Sequence, residues 1–242
     1  MKKKVYQIAE NRLIAADTYK LVLSGEGPVD GEFVHLEIPP YFLRRPFSVC
    51  DTSESGLTIL YKTVGEGTRA LASLPAGTSL NVLTGLGKGF SADACRENVL
   101  LVGGGLGAAP LYLLARELKA QGKHITAILG FNKADEIVLR KEFEALCDKV
   151  AITTLDGSVG IKGFVTDALK AILLKYDYFY TCGPMVMMKA VCGMLSGPGE
   201  ASLEERMGCG AGLCYGCSIQ TTGGPRRVCK DGPVFKKEEL LW

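Results

Sequence analysis

Asn98-Val99-Leu100-Leu101-Val102-Gly103-Gly104-Gly105-Leu106-Gly107-Ala108-Ala109-Pro110 is a continuous apolar run that ends in a glycine turn. A strand buried on both faces has no polar side to show, so it reads as unbroken Val and Leu rather than as alternation. The glycines then let the chain reverse tightly into a helix that carries Leu111, Leu114, Ala115 and Leu118 on one face. The same unit recurs downstream. A strand from His124 to Leu129 precedes a helix from Asp135 to Cys147, and Val150 to Leu155 precedes a helix with Val165, Leu169, Ile172 and Leu173 in register. Tyr178 to Thr181 then leads into a Met-rich helix after Pro184. Repeated strand–helix units predict an α/β domain with a doubly wound parallel sheet covered on both faces.

The text on either side is different. From Val5 to Gly89 short strands are separated by turns, and alternation is clearest where Leu57, Ile59 and Tyr61 interleave with Thr58, Leu60 and Lys62. This pattern predicts a small antiparallel β-barrel, interrupted by one helical stretch from Thr68 to Leu74. Beyond the α/β segment, Gly197-Pro198-Gly199 punctuates the chain as a hinge or short linker would. The expected division is residues 1–94, 95–198 and 199–242. The last piece is too short to rely on a hydrophobic core alone, so a bound metal group is expected to help fold it.

That piece contains Cys209, Cys214, Cys217 and Cys229, spaced C-x4-C-x2-C-x11-C. The spacing is the one that wraps a plant-type [2Fe-2S] cluster, and the glycines between the first three cysteines let backbone N–H groups approach cluster sulfurs. Zn²⁺ also accepts four thiolates. Zinc ribbons usually present two Cys-x-x-Cys knuckles, however, and this segment has one, so the spacing favours the cluster. Cys147 and Cys192 fall in apolar helical patterns and read as packing.

The 242 residues are 47% hydrophobic, ample for real cores, and the formal charge is only +2. No basic block exceeds the Lys2-Lys3-Lys4 start, so nucleic-acid binding is not expected. The residues after those lysines are too polar for a signal-peptide core, and no apolar stretch reaches membrane-spanning length. A cytoplasmic protein with no membrane partner is expected.

Two motifs in the barrel segment suit a dinucleotide. Arg44-Arg45-Pro46-Phe47-Ser48 offers a guanidinium fork for a pyrophosphate, and Gly65-Glu66-Gly67-Thr68-Arg69 opens a helix with glycine amides and a hydroxyl. Each alone is an ordinary turn; together in one barrel they are more specific. In the α/β segment, Gly103, Gly104, Gly105, Gly107 and Pro110 occupy the first strand–helix turn, without spelling G-x-G-x-x-G. Cys182, Gly183, Pro184 and Met185 follow the last apolar strand, where open α/β sheets bind ligands. Cys182 reads equally as a thiol near a nicotinamide and as a strand-end residue before a Pro-started helix. His35 and His124 have no metal or triad spacing around them and read as structural. The absence of a nucleophile–base pair is what cofactor-borne chemistry requires.

Taken in order, these motifs resemble the ferredoxin-NADP reductase superfamily. The cysteine segment, ending in Cys229-Lys230-Asp231-Gly232-Pro233-Val234-Phe235, is similar to that of the electron-transfer subunits of B-type dihydroorotate dehydrogenase. The similarity extends through Gly31-Glu32-Phe33-Val34-His35-Leu36 and Asp156-Gly157-Ser158-Val159-Gly160-Ile161-Lys162-Gly163. Glu32 stands where that family usually has Gln.

The resemblance implies FAD on the first domain, with Arg45, Pro46, Phe47 and Ser48 at the flavin and its phosphates. Leu60, Tyr61 and Lys62 would line the next strand, and Gly67 and Thr68 would approach the pyrophosphate. It implies NAD at the two α/β motifs, with the single Lys133 after the second strand favouring NAD over NADP. It further implies an FMN-containing dihydroorotate dehydrogenase catalytic subunit, in a heterotetramer of two plus two, and a role in pyrimidine biosynthesis. The exposure of the cluster cysteines would serve docking to that partner. Two other readings keep the same motifs: the small subunit of an NAD(P)H:ferredoxin oxidoreductase, and a non-catalytic redox-sensing module.

Overall fold

The computed structural model describes residues 1–25, 32–172 and 175–242, so Gly31 and Leu173 of the motifs above lie outside the described residues. The chain forms two compact units, residues 1–89 with 204–234, and residues 90–203 with 235–242.

In the first unit, β1 (Lys2–Ala15), β2 (Thr18–Ser24), β3 (Phe33–Leu36), β4 (Arg45–Ser48), β5 (Asp51–Ser53), β6 (Gly56–Lys62) and β7 (Ser79–Leu86) form one sheet. Its order is β4-β3-β7-β1-β2-β6-β5, with antiparallel neighbours throughout. The sheet curls into a half-barrel. Register shifts in β1 at Ile8/Glu10 and Leu13/Ala15 bend that long strand, as bulges do. Closure is aromatic: Phe47 of β4 meets Tyr61 of β6 edge-on at 5.8 Å, and Tyr61 stacks on Tyr19 of β2 at 5.5 Å. The alternation in β6 is incomplete because Leu60 is buried as well as Leu57, Ile59 and Tyr61. The barrel helix α1 (Glu66–Ala72) starts two residues earlier than expected, and Asn11 donates to the carbonyls of Leu71 and Leu74, filling acceptors that a helix end leaves open.

In the second unit, β8 (Asn98–Gly104), α2 (Ala108–Ala120), β9 (His124–Phe131), α3 (Arg140–Leu146), β10 (Lys149–Thr154), β11 (Ile161–Lys162), α4 (Val165–Ala171), β12 (Tyr178–Cys182), α5 (Met185–Met194) and β13 (Gly199–Ser202) follow one another. The sheet order is β11-β10-β9-β8-β12-β13, with strand Val234–Lys236 beyond β13. Pairings from β11 to β13 are parallel. Because β9 and β10 lie on one side of β8 while β12 and β13 lie on the other, the winding reverses between β8 and β12. Leu100, Leu101, Val102, Ile128 and Phe179 are fully buried, as the apolar runs require.

Two expectations fail here for local reasons. The helix expected from Asp135 to Cys147 is broken, because Leu139 takes a left-handed conformation (φ 58) and the α-helix begins only at Arg140. Gly197-Pro198-Gly199 is not a linker: Gly199 opens β13, all of whose residues are buried, and sits against the Phe179 ring where a side chain would not fit.

The remaining elements, β14 (Ser218–Thr221), β15 (Gly224–Arg227) and α6 (Val228–Asp231), make a short hairpin and one helical turn that carries Cys229. Lys88 donates its backbone N–H to Gly232 at 2.6 Å, tying this segment to the end of β7. Among the described residues no helix is long and apolar enough to cross a membrane.

Candidate functional site

At the point where the winding reverses, Cys182 of β12 is in register with Gly103 of β8. Both predicted α/β motifs therefore meet at the carboxyl end of the sheet, the usual ligand edge of this architecture. Their backbones pack without room for side chains. A Cβ on Gly183 would lie 2.9 Å from the Gly104 nitrogen, and one on Gly104 would lie 3.0 Å from Pro184 Cδ. Gly105 (φ +53) faces open space at the head of the thirteen-residue helix α2, in whose first turn Pro110 is buried. Free amides at such a helix start attract phosphate. The side chain of Cys182 is buried, so this rim is made of backbone. After β9, Asn132 donates to both oxygens of Glu136 at 3.0 and 3.2 Å, and Lys133 pairs with Asp135 at 2.9 Å.

In the first unit the two barrel motifs are also brought together. The Arg45 guanidinium lies against Gly67, where a Cβ would sit 3.1 Å from Nε, and it stacks over Tyr41 at 5.5 Å. Arg44 is spent elsewhere, bonded to Glu37 and to the Asn81 carbonyl. Thr68 exchanges hydrogen bonds with the backbone of Gly65 at 3.1 Å, which fixes the start of α1. Pro46, Phe47 and Ser48 are half-buried along β4. Tyr61 donates to Asn11 at 2.8 Å; burial raises its hydroxyl well above the usual range, so it stays neutral. Tyr61 and Leu60 serve the barrel wall, with Lys62 half-buried at its end.

The four cysteines of the C-terminal segment are linked two and two through the backbone, since Cys214 donates its N–H to Cys209 Sγ at 3.5 Å and Cys229 donates its N–H to Cys217 Sγ at 3.4 Å. Backbone donors converge on them. Cys209 Sγ accepts from Ala211, Leu213 and Cys214 at 3.2–3.5 Å, Cys229 Sγ from Gly212 at 3.2 Å, and Cys217 Sγ from Cys229 at 3.4 Å. Left-handed Gly210 (φ +65) and Gly212 (φ +77) turn those amides inward. Burial alone would push the Cys209 thiol up, but its three backbone donors outweigh that and bring it down to about 6. Cys229, more deeply buried and beside Cys217, is pushed up to about 12. Among the described residues no three His, Cys, Asp or Glu side chains converge on a single-ion site. Four cysteines on one glycine-rich segment, with backbone N–H groups aimed at their sulfurs, fit an iron–sulfur cluster, whose irons these thiolates would hold.

Exposure at this loop is uneven. Cys217 and Cys229 are buried, whereas Cys214 is exposed between Leu213 (79%) and Tyr215 (65%). The expectation that the four cysteines are exposed together therefore fails for Cys217 and Cys229, with Cys209 half-buried and Cys214 alone exposed. Sequence reasoning passed over Arg227, which donates to the Gly212 carbonyl at 2.9 Å, pairs with Asp231 at 3.2 Å and stacks over Tyr215 at 5.0 Å. It also set aside His35, which is wholly buried against this loop.

Residues 204–241 match the family described as the iron-sulfur cluster binding domain of dihydroorotate dehydrogenase B, and residues 101–193 match the oxidoreductase NAD-binding domain. The dihydroorotate dehydrogenase B (NAD(+)) electron transfer subunit of Fusobacterium nucleatum is 40% identical, with 99% of each chain covered. That of Bacillus caldolyticus is 40% identical over 97% of this chain and 96% of its own. Among solved structures, an NADH-dependent reduced ferredoxin-NADP oxidoreductase superposes with a TM-score of 0.88 at 32% identity, covering 98% of this chain and 90% of that one. Phthalate dioxygenase reductase shares the fold, with a TM-score of 0.66 at 22% identity over 79% of this chain and 64% of its own. With 40% identity over nearly the whole of both chains, and with the cluster-binding domain of that family matched at residues 204–241, the chain belongs to the dihydroorotate dehydrogenase B electron transfer subunit family.

Proposed function

We propose that this chain takes electrons from an FMN-containing dihydroorotate dehydrogenase catalytic subunit and delivers them to NAD⁺, using a [2Fe-2S] cluster and FAD, in a complex of two copies of each subunit. The observation that carries this reading is the cradle of backbone N–H groups aimed at the sulfurs of Cys209, Cys217 and Cys229, through which Cys214 is tied to Cys209 and Cys229 to Cys217. The cradle supplies positive ends of N–H dipoles to a negatively charged sulfur group. A flavin exchanges electrons singly or in pairs, so it links a one-electron cluster to two-electron substrate and nicotinamide chemistry.

This chain's own part is binding and orientation. Arg45 and the Gly67 backbone would grip an FAD pyrophosphate, with Pro46, Phe47 and Ser48 along the flavin, a reading supported by the contact of the guanidinium with Gly67. The Gly103–Gly107 turn and the Cys182–Pro184 turn would hold NAD, a reading supported by their meeting at the carboxyl end of the sheet. NAD rather than NADP is favoured because Lys133 is paired with Asp135 and Glu136 stands beside Asn132, which leaves acidic charge where a 2′-phosphate would bind.

Co-expression with the catalytic subunit, followed by anaerobic assay of dihydroorotate-dependent NAD⁺ reduction, tests this reading. Flavin and [2Fe-2S] absorption with co-purifying FMN protein is the expected result. A preparation that holds zinc and no inorganic sulfide would sink the cluster assignment.

A second reading draws on the TM-score of 0.88 with a ferredoxin-NADP oxidoreductase chain, and would give the same cofactors a different partner subunit. Reduction of NADP⁺ by reduced ferredoxin in the purified complex, with no dihydroorotate oxidation, would favour it.

A further inference from the structure

The peptide unit that joins Gly212 to Leu213 is hydrogen-bonded at both ends. Its N–H donates to Cys209 Sγ at 3.2 Å, and its carbonyl accepts from Arg227 Nη1 at 2.9 Å. In a trans peptide these two groups point to opposite sides, so the guanidinium stands behind the amide that faces the sulfur. The preceding peptide sends the Gly212 N–H to Cys229 Sγ, also at 3.2 Å. The left-handed conformation of Gly212 (φ +77) is what lets adjacent amides reach different cysteines. Arg227 is itself held firmly. Asp231 accepts from its Nε at 3.2 Å and from its backbone N–H at 2.8 Å, and the guanidinium carbon lies 5.0 Å from the centre of the Tyr215 ring. Because Asp231 balances its charge, Arg227 acts on the loop mainly as a directed donor rather than through a long-range field. Arg227 also directly precedes α6, the turn that carries Cys229, so its bond to Gly212 ties together the two stretches of chain that supply the cysteines.

We propose that Arg227 is a positioning residue of the cluster site: by binding the Gly212 carbonyl it fixes the Gly212–Leu213 peptide and strengthens the Leu213 N–H as a donor to the Cys209 sulfur. This rests on the [2Fe-2S] reading above. Hydrogen bonds in a chain polarise one another, and a charged donor at the carbonyl end makes the stronger bond. A stronger donor to a ligand sulfur favours the state that holds one more electron, and so raises the reduction potential.

Full-length protein loaded with its cluster, labelled with ¹⁵N-leucine and reduced, is read by pulsed electron paramagnetic resonance, and the cluster potential by a titration followed in the same signal. A weak ¹⁵N coupling is expected in the wild type. It should vanish in Leu213→Met, which removes the label from that amide while the exposed side chain changes little. Arg227→Met/Asp231→Asn keeps the net charge and an acceptor for the backbone N–H at position 227, and removes only the donor to Gly212. There the coupling should weaken, and the ratio of reduced to oxidised cluster at a fixed potential should fall about tenfold, equivalent to about 59 mV for one electron. Arg227→Lys, a charge without the planar fork, should fall between the two. A double variant with the wild-type potential overturns the proposal, as does a leucine coupling that is absent from the wild type or unchanged in Leu213→Met. Should the double variant fail to hold its cluster, the labelled wild type and Leu213→Met still decide. A reduced protein without any [2Fe-2S] signal overturns the cluster reading and this proposal together, whereas a signal with none of these changes overturns the proposal alone.

Discussion

Gly107 rests directly on the carbonyl group of Cys182: a Cβ there would overlap the carbonyl oxygen and lie 2.6 Å from the Gly183 nitrogen. The obstacle is backbone, which cannot rotate aside, so Gly107→Ala must separate β12 from the turn after β8. We expect about 1–3 kcal/mol of destabilisation and a loss of NAD(H) binding in calorimetric titration. Gly193→Ala in α5, where nothing lies within 4 Å, is the control. It should stabilise the fold by about 0.5–1 kcal/mol with NAD binding unchanged.

Arg45→Ala removes the guanidinium that lies against Gly67 while leaving Arg44 on Glu37 and Asn81. Hydrogen bonds to a charged group contribute about 1.5–3 kcal/mol, so FAD should dissociate roughly 10- to 150-fold more readily. Arg45→Lys keeps the charge without the planar fork and should recover only part of the loss. Fluorescence of released flavin on dilution measures both. Retention of FAD at wild-type affinity in Arg45→Ala would remove this residue from the site.

How far residues alone led to these sites depended on the distance over which each signal acts. The run Val99–Val102 and the glycines after it announce strand and turn locally, and Cys182-Gly183-Pro184 does the same, so the sheet edge followed from pattern. β13 did not, because a four-residue strand buried on every side has no alternation and begins in a Gly-Pro-Gly that reads as a break. The split before α3 turns on one left-handed leucine, Leu139, a conformation that nothing in its identity suggests. The cysteine spacing marked the four thiols but not the side chains packed behind them. His35 and Arg227 act across the fold on Gly210 and Gly212, and a lone His or Arg carries no mark of a contact made so far along the chain.

Cys214→Ser replaces the exposed cysteine at the loop tip and leaves the barrel and the sheet edge untouched. Iron and sulfide content should fall, and dihydroorotate-dependent NAD⁺ reduction in the assembled complex should drop by at least about 100-fold, beyond the loss usual for a supporting residue. FAD should stay bound, and NADH oxidation by a small artificial acceptor should continue. Simultaneous loss of FAD would mean that the cysteine loop and the half-barrel, which belong to one compact unit, fold only together.

Asp177 gathers the start of β8 by accepting backbone N–H groups from Arg96, Glu97 and Asn98 at 2.7–2.9 Å. Burial works against its charge, but the three donors outweigh that and hold the carboxyl below its ordinary value of 3.8. The folded state therefore binds this proton less readily than the unfolded chain. Its stabilising contribution is complete above the ordinary value and is lost as pH falls through the lower, folded one. Asp177→Asn turns one acceptor into a donor facing N–H groups and should cost about 1–3 kcal/mol at pH 7. Urea unfolding should show a gap between wild type and variant that is constant from pH 7 to pH 5 and closes only below the ordinary carboxyl range. A gap that instead widened on acidification would mean that the Asp177 carboxyl is raised, and that burial rather than the three amides governs it.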